Sequence, residues 1–166
     1  MKTHFYVFFV MVALVASRAL GDSPVTNEWG AISNGVQMSI SFDGKKREIK
    51  TNEEFQLLVS IKNLGTTNAW SYLGGMANSE LGNGLHCVVI SPSGKDVSPS
   101  VKFRGEAFGF INCPPGGGES FKFNLSRICR LDEMGTYKII AQKSIYFDVK
   151  KSWVVTSNPL FVKVVP

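Results

Sequence analysis

Histidine and cysteine are scarce in this chain: His4 and His86 are its two histidines among 166 residues, and Cys87, Cys113 and Cys129 its three cysteines. A zinc site draws three or four such ligands at suitable spacing, and these are too few and too spread to supply it. Phosphate-gripping chemistry is missing as well. The glycine-rich run Pro114–Gly118 is not followed by the Gly-Lys-Ser/Thr that closes a phosphate loop. No Asp-x-Asp-x-Asp-Gly calcium loop occurs either. The expectation is no metal and no cofactor. Basic residues exceed acidic ones, 18 to 13, but they are scattered, with small clusters at Lys45-Lys46-Arg47 and Lys150-Lys151. A nucleic-acid footprint gathers its cations on one face, so no nucleic-acid partner is expected.

Long apolar runs are also absent, with one exception at the start. Lys2 precedes Phe5 to Ala16, an unbroken apolar stretch, and Ala19-Leu20-Gly21 then offers small residues where a signal peptidase reads. The run is shorter than the ~20 residues that cross a bilayer, and Arg18 closes it. Residues 1–21 are therefore predicted to be a cleavable signal peptide, cut after Gly21 or, alternatively, after Ala19. With no second apolar stretch, the product is expected to be secreted or periplasmic, without a stable membrane anchor. Its 16 Lys and Arg against 13 Asp and Glu leave a net charge of +3.

An exported compartment permits disulfides. Three cysteines leave at least one thiol unpaired within a monomer, so at most one intrachain bridge is expected. Which of Cys87, Cys113 and Cys129 would pair stays open.

Alternation of apolar and polar residues dominates the rest. Val36, Met38, Ile40 and Phe42 form one such row; Phe55, Leu57, Val59 and Ile61 a second; Phe121, Phe123 and Leu125 a third; Leu160, Val162 and Val164 a fourth. Each reads as a strand with one face on a core. Further strands are predicted within Ala69–Leu73, Leu85–Ile90, Val101–Ile111, Tyr137–Phe147 and Trp153–Thr156. Asp43-Gly44, Asn63-Leu64-Gly65, Ser91-Pro92-Ser93-Gly94 and Ser157-Asn158-Pro159 are turn chemistry between them. Leu125–Met134 has room for a turn of helix. Many short strands with regular turns in this length predict an all-β, antiparallel two-sheet sandwich. The loop at 74–84 is the least patterned stretch.

Glu133-Met134-Gly135-Thr136-Tyr137 resembles the corner that opens strand F of immunoglobulin-type sandwiches, where a tyrosine hydroxyl bonds backbone upstream. The cysteine that follows two residues later in antibody domains is Ile139 here. Trp29-Gly30, Asn34-Gly35-Val36-Gln37-Met38, Ile61-Lys62-Asn63-Leu64-Gly65 and Ser157-Asn158-Pro159 resemble exported bacterial immunoglobulin-like domains. A similar order of turn motifs, including Ser91-Pro92-Ser93-Gly94 and Pro115-Gly116-Gly117-Gly118-Glu119, occurs in the bacterial intracellular proteinase inhibitor family. The resemblance implies a single Ig-like β-sandwich at 34–166, preceded by an N-terminal extension at 22–33, with Gly135 and Tyr137 as its structural corner.

Catalytic pairings fail on geometry. His86 and Cys87 are neighbours on a strand, so their side chains point to opposite faces. Asp132-Glu133 reads as a polar corner, since adjacent carboxylates on a turn do not converge on one bond. Asn124-Leu125-Ser126 matches a glycosylation acceptor by pattern. Trp29, Trp70, Tyr72 and Trp153 would serve as a platform if exposed, and Trp70 and Tyr72 are the nominated binding residues. The resulting expectation is an exported, monomeric, non-catalytic binding or structural accessory module with an unidentified protein or glycan partner. The alternative is an inhibitor of a protease or other enzyme acting through the 74–84 loop.

Overall fold

Period-two rows become strands because each sets its apolar side chains on one face, and two such faces bury each other. The computed structural model describes residues 28–44, 48–73, 85–99, 109–148 and 151–166. The predicted signal peptide and the 74–84 loop lie outside them. The described residues form ten strands: β1 (Val36–Phe42), β2 (Glu48–Lys50), β3 (Gln56–Asn63), β4 (Ala69–Leu73), β5 (Leu85–Ile90), β6 (Gly109–Cys113), β7 (Gly118–Asn124), β8 (Gly135–Asp148), β9 (Lys151–Thr156) and β10 (Leu160–Val165). Leu125–Arg127 forms a 3₁₀ turn, within the stretch that had room for one.

The strands make a two-sheet β-sandwich. One sheet has three strands in the order β1-β3-β7, and the other seven strands assemble around β8. β8 is 14 residues long, enough to take two partners along each edge. β10 and then β9 pair along one edge, β5 and then β4 along the other. β6 adds outside β4, and β2 outside β10.

One departure from the antiparallel expectation appears here. β2 runs parallel to β10, with Glu48 opposite Lys163 and Lys50 opposite Val165. The chain leaves the three-stranded sheet after β1 and joins the edge of the other, and alternation in sequence carries no information on that direction.

The facing rows form one core. Val36, Met38 and Ile40 of β1 and Leu57, Val59 and Ile61 of β3 pack with Tyr137, Ile139 and Ala141 of β8 and Val89, Val155 and Val162 of its neighbours, all buried. Burial of that apolar surface, at roughly 25 cal/mol per Å², is the main force holding the sheets together.

Turn motifs stitch the two sheets along the β1 side. Asn158 Oδ1 accepts the Ile40 amide at 3.1 Å across the sheets, while Ser157 Oγ accepts the Ala141 amide at 2.9 Å within the seven-stranded sheet. Residues 28–33 lie along this seam, where the Gly30 amide donates to the Met38 carbonyl. A β-carbon on Gly30 would sit 2.1 Å from the Thr156 carbonyl oxygen, so only glycine fits there. Asn63 plays the equivalent role at the β3–β4 turn. It is fully buried, donates to the Thr67 and Cys113 carbonyls, and accepts the Gly65 amide.

Candidate functional site

The outward-facing residues of the seven-stranded sheet share one surface. Trp70 lies on it, 38% exposed, and the register sets it directly opposite Tyr146 of β8. Four residues back along β8, Gln142 sits between His86 of β5 and Thr156 of β9. Four residues further, Lys138 sits between Ile90 of β5 and Phe161 of β10, which is 57% exposed. Between these rows lie Ser144 beside Val154, which is 57% exposed, and Ile140 beside Val88, so the surface has an aromatic end, a mixed polar and apolar middle, and a far end where Lys138 stands beside Phe161. Tyr72 pairs with Phe110 in the backbone register; its side chain lies outside the described residues.

The other tryptophans do not join this platform. Trp153 has the same parity as the buried Val155, and its ring meets Phe147 edge-on at 4.9 Å. Trp29 is 37% exposed but belongs to the segment crossing the β1 seam. Tyr146 was missed as a platform residue. Its signal is the outward phase of β8, shared with Lys138 and Gln142.

Inside the sandwich, a polar cluster spans the two sheets on the side away from β1. Ser71 Oγ donates to Glu119 Oε1 at 2.5 Å. Glu119 Oε2 is buried and has no hydrogen-bond partner among the described residues. Lys143 reaches the same interior with 2% exposure, its Nζ 5.2 Å from the centre of the Phe121 ring. Burial pushes the Lys143 ammonium down to about 8, against the opposing pull of the Glu119 charge. Lys143 keeps the inward phase of Tyr137, Ile139 and Ala141, so the alternation of β8 itself places a lysine inside.

The three thiols are all free and buried. Burial, and then the neighbouring Cys129, pushes Cys87 up to about 12; burial, Asp132 and Asp96 push Cys129 up to about 11. Burial also raises Cys113. Such thiols are protonated and poor nucleophiles at neutral pH. His86 is exposed and Cys87 buried, on opposite faces of β5.

At the corner, Tyr137 Oη accepts the Glu133 amide at 2.8 Å, four residues upstream. Gly135 has a φ of +127°, and a β-carbon there would press on the Pro92 ring at 2.9 Å. Both constraints require glycine. The Glu133 carboxylate takes hydrogen bonds from the Ser93 amide and hydroxyl, which commits it to the corner. Asn124 Oδ1 accepts the Ser126 hydroxyl at 2.6 Å where β7 ends. Among the described residues no group of three or more His, Cys, Asp or Glu could hold a metal, and no helix is long and apolar enough to cross a membrane.

No protein-family profile matches the chain, and no curated protein does. Solved structures do. The structural-genomics target SoR45 superimposes with a TM-score of 0.52 at 13% identity, over 81% of this chain and 90% of that one. The C-terminal domain of Wzt gives 0.48 at 11% identity, over 81% and 75%. The ApaA protein of Bordetella pertussis gives 0.49 at 8% identity, over 83% and 96%. Identity this low speaks for the fold alone.

Proposed function

We propose that this is an exported, non-catalytic binding module that captures its partner on the outer face of the seven-stranded sheet. The observation that carries the reading is Trp70, a large aromatic 38% exposed on a paired strand opposite Tyr146. Rigid, partly exposed aromatics dominate binding hot spots because they bury much area while losing little side-chain freedom. The non-catalytic part rests on how the reactive groups are deployed. His86 faces away from Cys87, the thiols are buried, and Glu133 is tied to Ser93. The finer assignment to an immunoglobulin-type sandwich is supported by the Tyr137 corner bond.

The test is capture of partners by the mature protein from the source organism's envelope and medium, with Trp70→Ala alongside. Capture should weaken by about 2 kcal/mol or more while the melting temperature holds. A fall in stability with unchanged capture would assign Trp70 to packing and overturn the site.

A further inference from the structure

Resting on the exported part of that reading and going beyond it, we propose that Asn124 is a modification site that carries an N-linked oligosaccharide. Asn124-Leu125-Ser126 is the one Asn-x-Ser/Thr in the chain, and the binding surface makes no use of it. The fold sets it where β7 ends and the 3₁₀ turn Leu125–Arg127 begins. Phe123 and Leu125 on either side are buried, so alternation turns Asn124, like the exposed Lys122, to the outer face of the three-stranded sheet. The two ends of its amide differ. Oδ1 accepts the Ser126 hydroxyl at 2.6 Å. Nδ2 has no hydrogen-bond partner among the described residues and reaches solvent. The nitrogen is the atom that carries an N-glycan, and here it is the one left available. Beside it opens a cleft of about 330 Å³ lined in part by Phe42, Asp43 and Gln56, which gives the first sugar room without displacing the core.

In the exporting compartment Nδ2 attacks the anomeric carbon of an oligosaccharide held on a lipid diphosphate. The nitrogen–carbon bond forms, the carbon–oxygen bond to the diphosphate breaks, Nδ2 gives up one proton, and the lipid diphosphate leaves. The position also has a physical use. β7 is an edge of its sheet, which runs β1-β3-β7. The other edge, β1, is covered, with the Gly30 amide on the Met38 carbonyl and Asn158 Oδ1 on the Ile40 amide. No described strand covers β7. A bulky hydrophilic chain at its end blocks edge-to-edge pairing with a second copy. It stands on the face of the sandwich opposite Trp70, so the binding surface stays open.

Intact mass of the exported protein from its own source, before and after peptide-N-glycosidase, tests this. The expected mass exceeds that of the polypeptide starting at Asp22 or Leu20 by one oligosaccharide, and the amidase removes it, leaving an aspartate at the site. Asn124→Gln and Ser126→Ala should each abolish the added mass, while Ser126→Thr should keep it. Thermal melts of the three variants check that each is folded. A processed N-terminus with the bare polypeptide mass would overturn this inference and leave export standing. Added mass that survives Asn124→Gln would overturn it as well. Retention of Met1 on an unmodified chain would overturn export and this inference together. Capture through Trp70 is read in a separate experiment and stands or falls by itself.

Discussion

Tyr137 is 1% exposed, and its hydroxyl accepts the Glu133 amide, so it serves as a packed ring and as a tie between the corner and β8. Tyr137→Phe keeps the ring and removes the acceptor. The lost bond is worth about 0.5–1.5 kcal/mol, more if the Glu133 donor is left without water. Chemical denaturation should show that loss, and an unchanged midpoint would mean that the bond contributes nothing. Gly135 and Tyr137 were legible in sequence because a left-handed turn and a buried hydroxyl restrict residue type tightly. Trp70 and Trp153 were not separable in the same way. Both sit on strands, and which side of a strand meets the core is decided by the facing sheet.

At the scale of an element, β8 carries the interior lysine. Its alternation buries Tyr137, Ile139, Ala141, Lys143 and Ile145 on one side and leaves Lys138 and Gln142 on the other. Lys143 titrates near 8 in the folded chain against 10.5 ordinarily. The folded state therefore binds fewer protons than the unfolded one between those values. The penalty for burying the charge is fully present below pH 8 and disappears as pH rises toward 10.5. Relative to Lys143→Met, the wild type should gain up to about 3 kcal/mol of stability across that interval. The thiols act in the opposite direction. Cys87 and Cys129 titrate higher folded than unfolded, so their stabilisation is complete below about pH 8.5 and is lost at more alkaline pH. That effect is common to both proteins and cancels in the difference between urea melts. A difference that stays flat from pH 8 to 10.5 would show that Lys143 meets water freely.

For the whole molecule, the export reading rests on the opening residues and the binding reading on the sheet's outer surface. Intact mass of the exported protein is expected to begin at Asp22 or Leu20. A cytoplasmic pool retaining Met1 would overturn it. The sheets are stitched by Asn158 and Asn63, both visible in sequence as turn residues. Their reach across the sandwich was not visible. A turn motif specifies local backbone, while the partner of its side chain comes from a strand far away in sequence.

By itself the sequence determined the all-β class, most strand positions, the corner at Gly135–Tyr137 and the separation of His86 from Cys87. These follow from local rules: period two, turn chemistry and the geometry of adjacent residues. Tertiary structure alone decided the parallel β2–β10 pairing, the free state of all three thiols and the meeting of Ser71 with Glu119 beside Lys143. It also aligned Trp70, Tyr146, Gln142 and Lys138 on one surface. The reason is common to all four. Each depends on how segments distant in the chain meet, and that is selected by the packing of two whole sheets against each other.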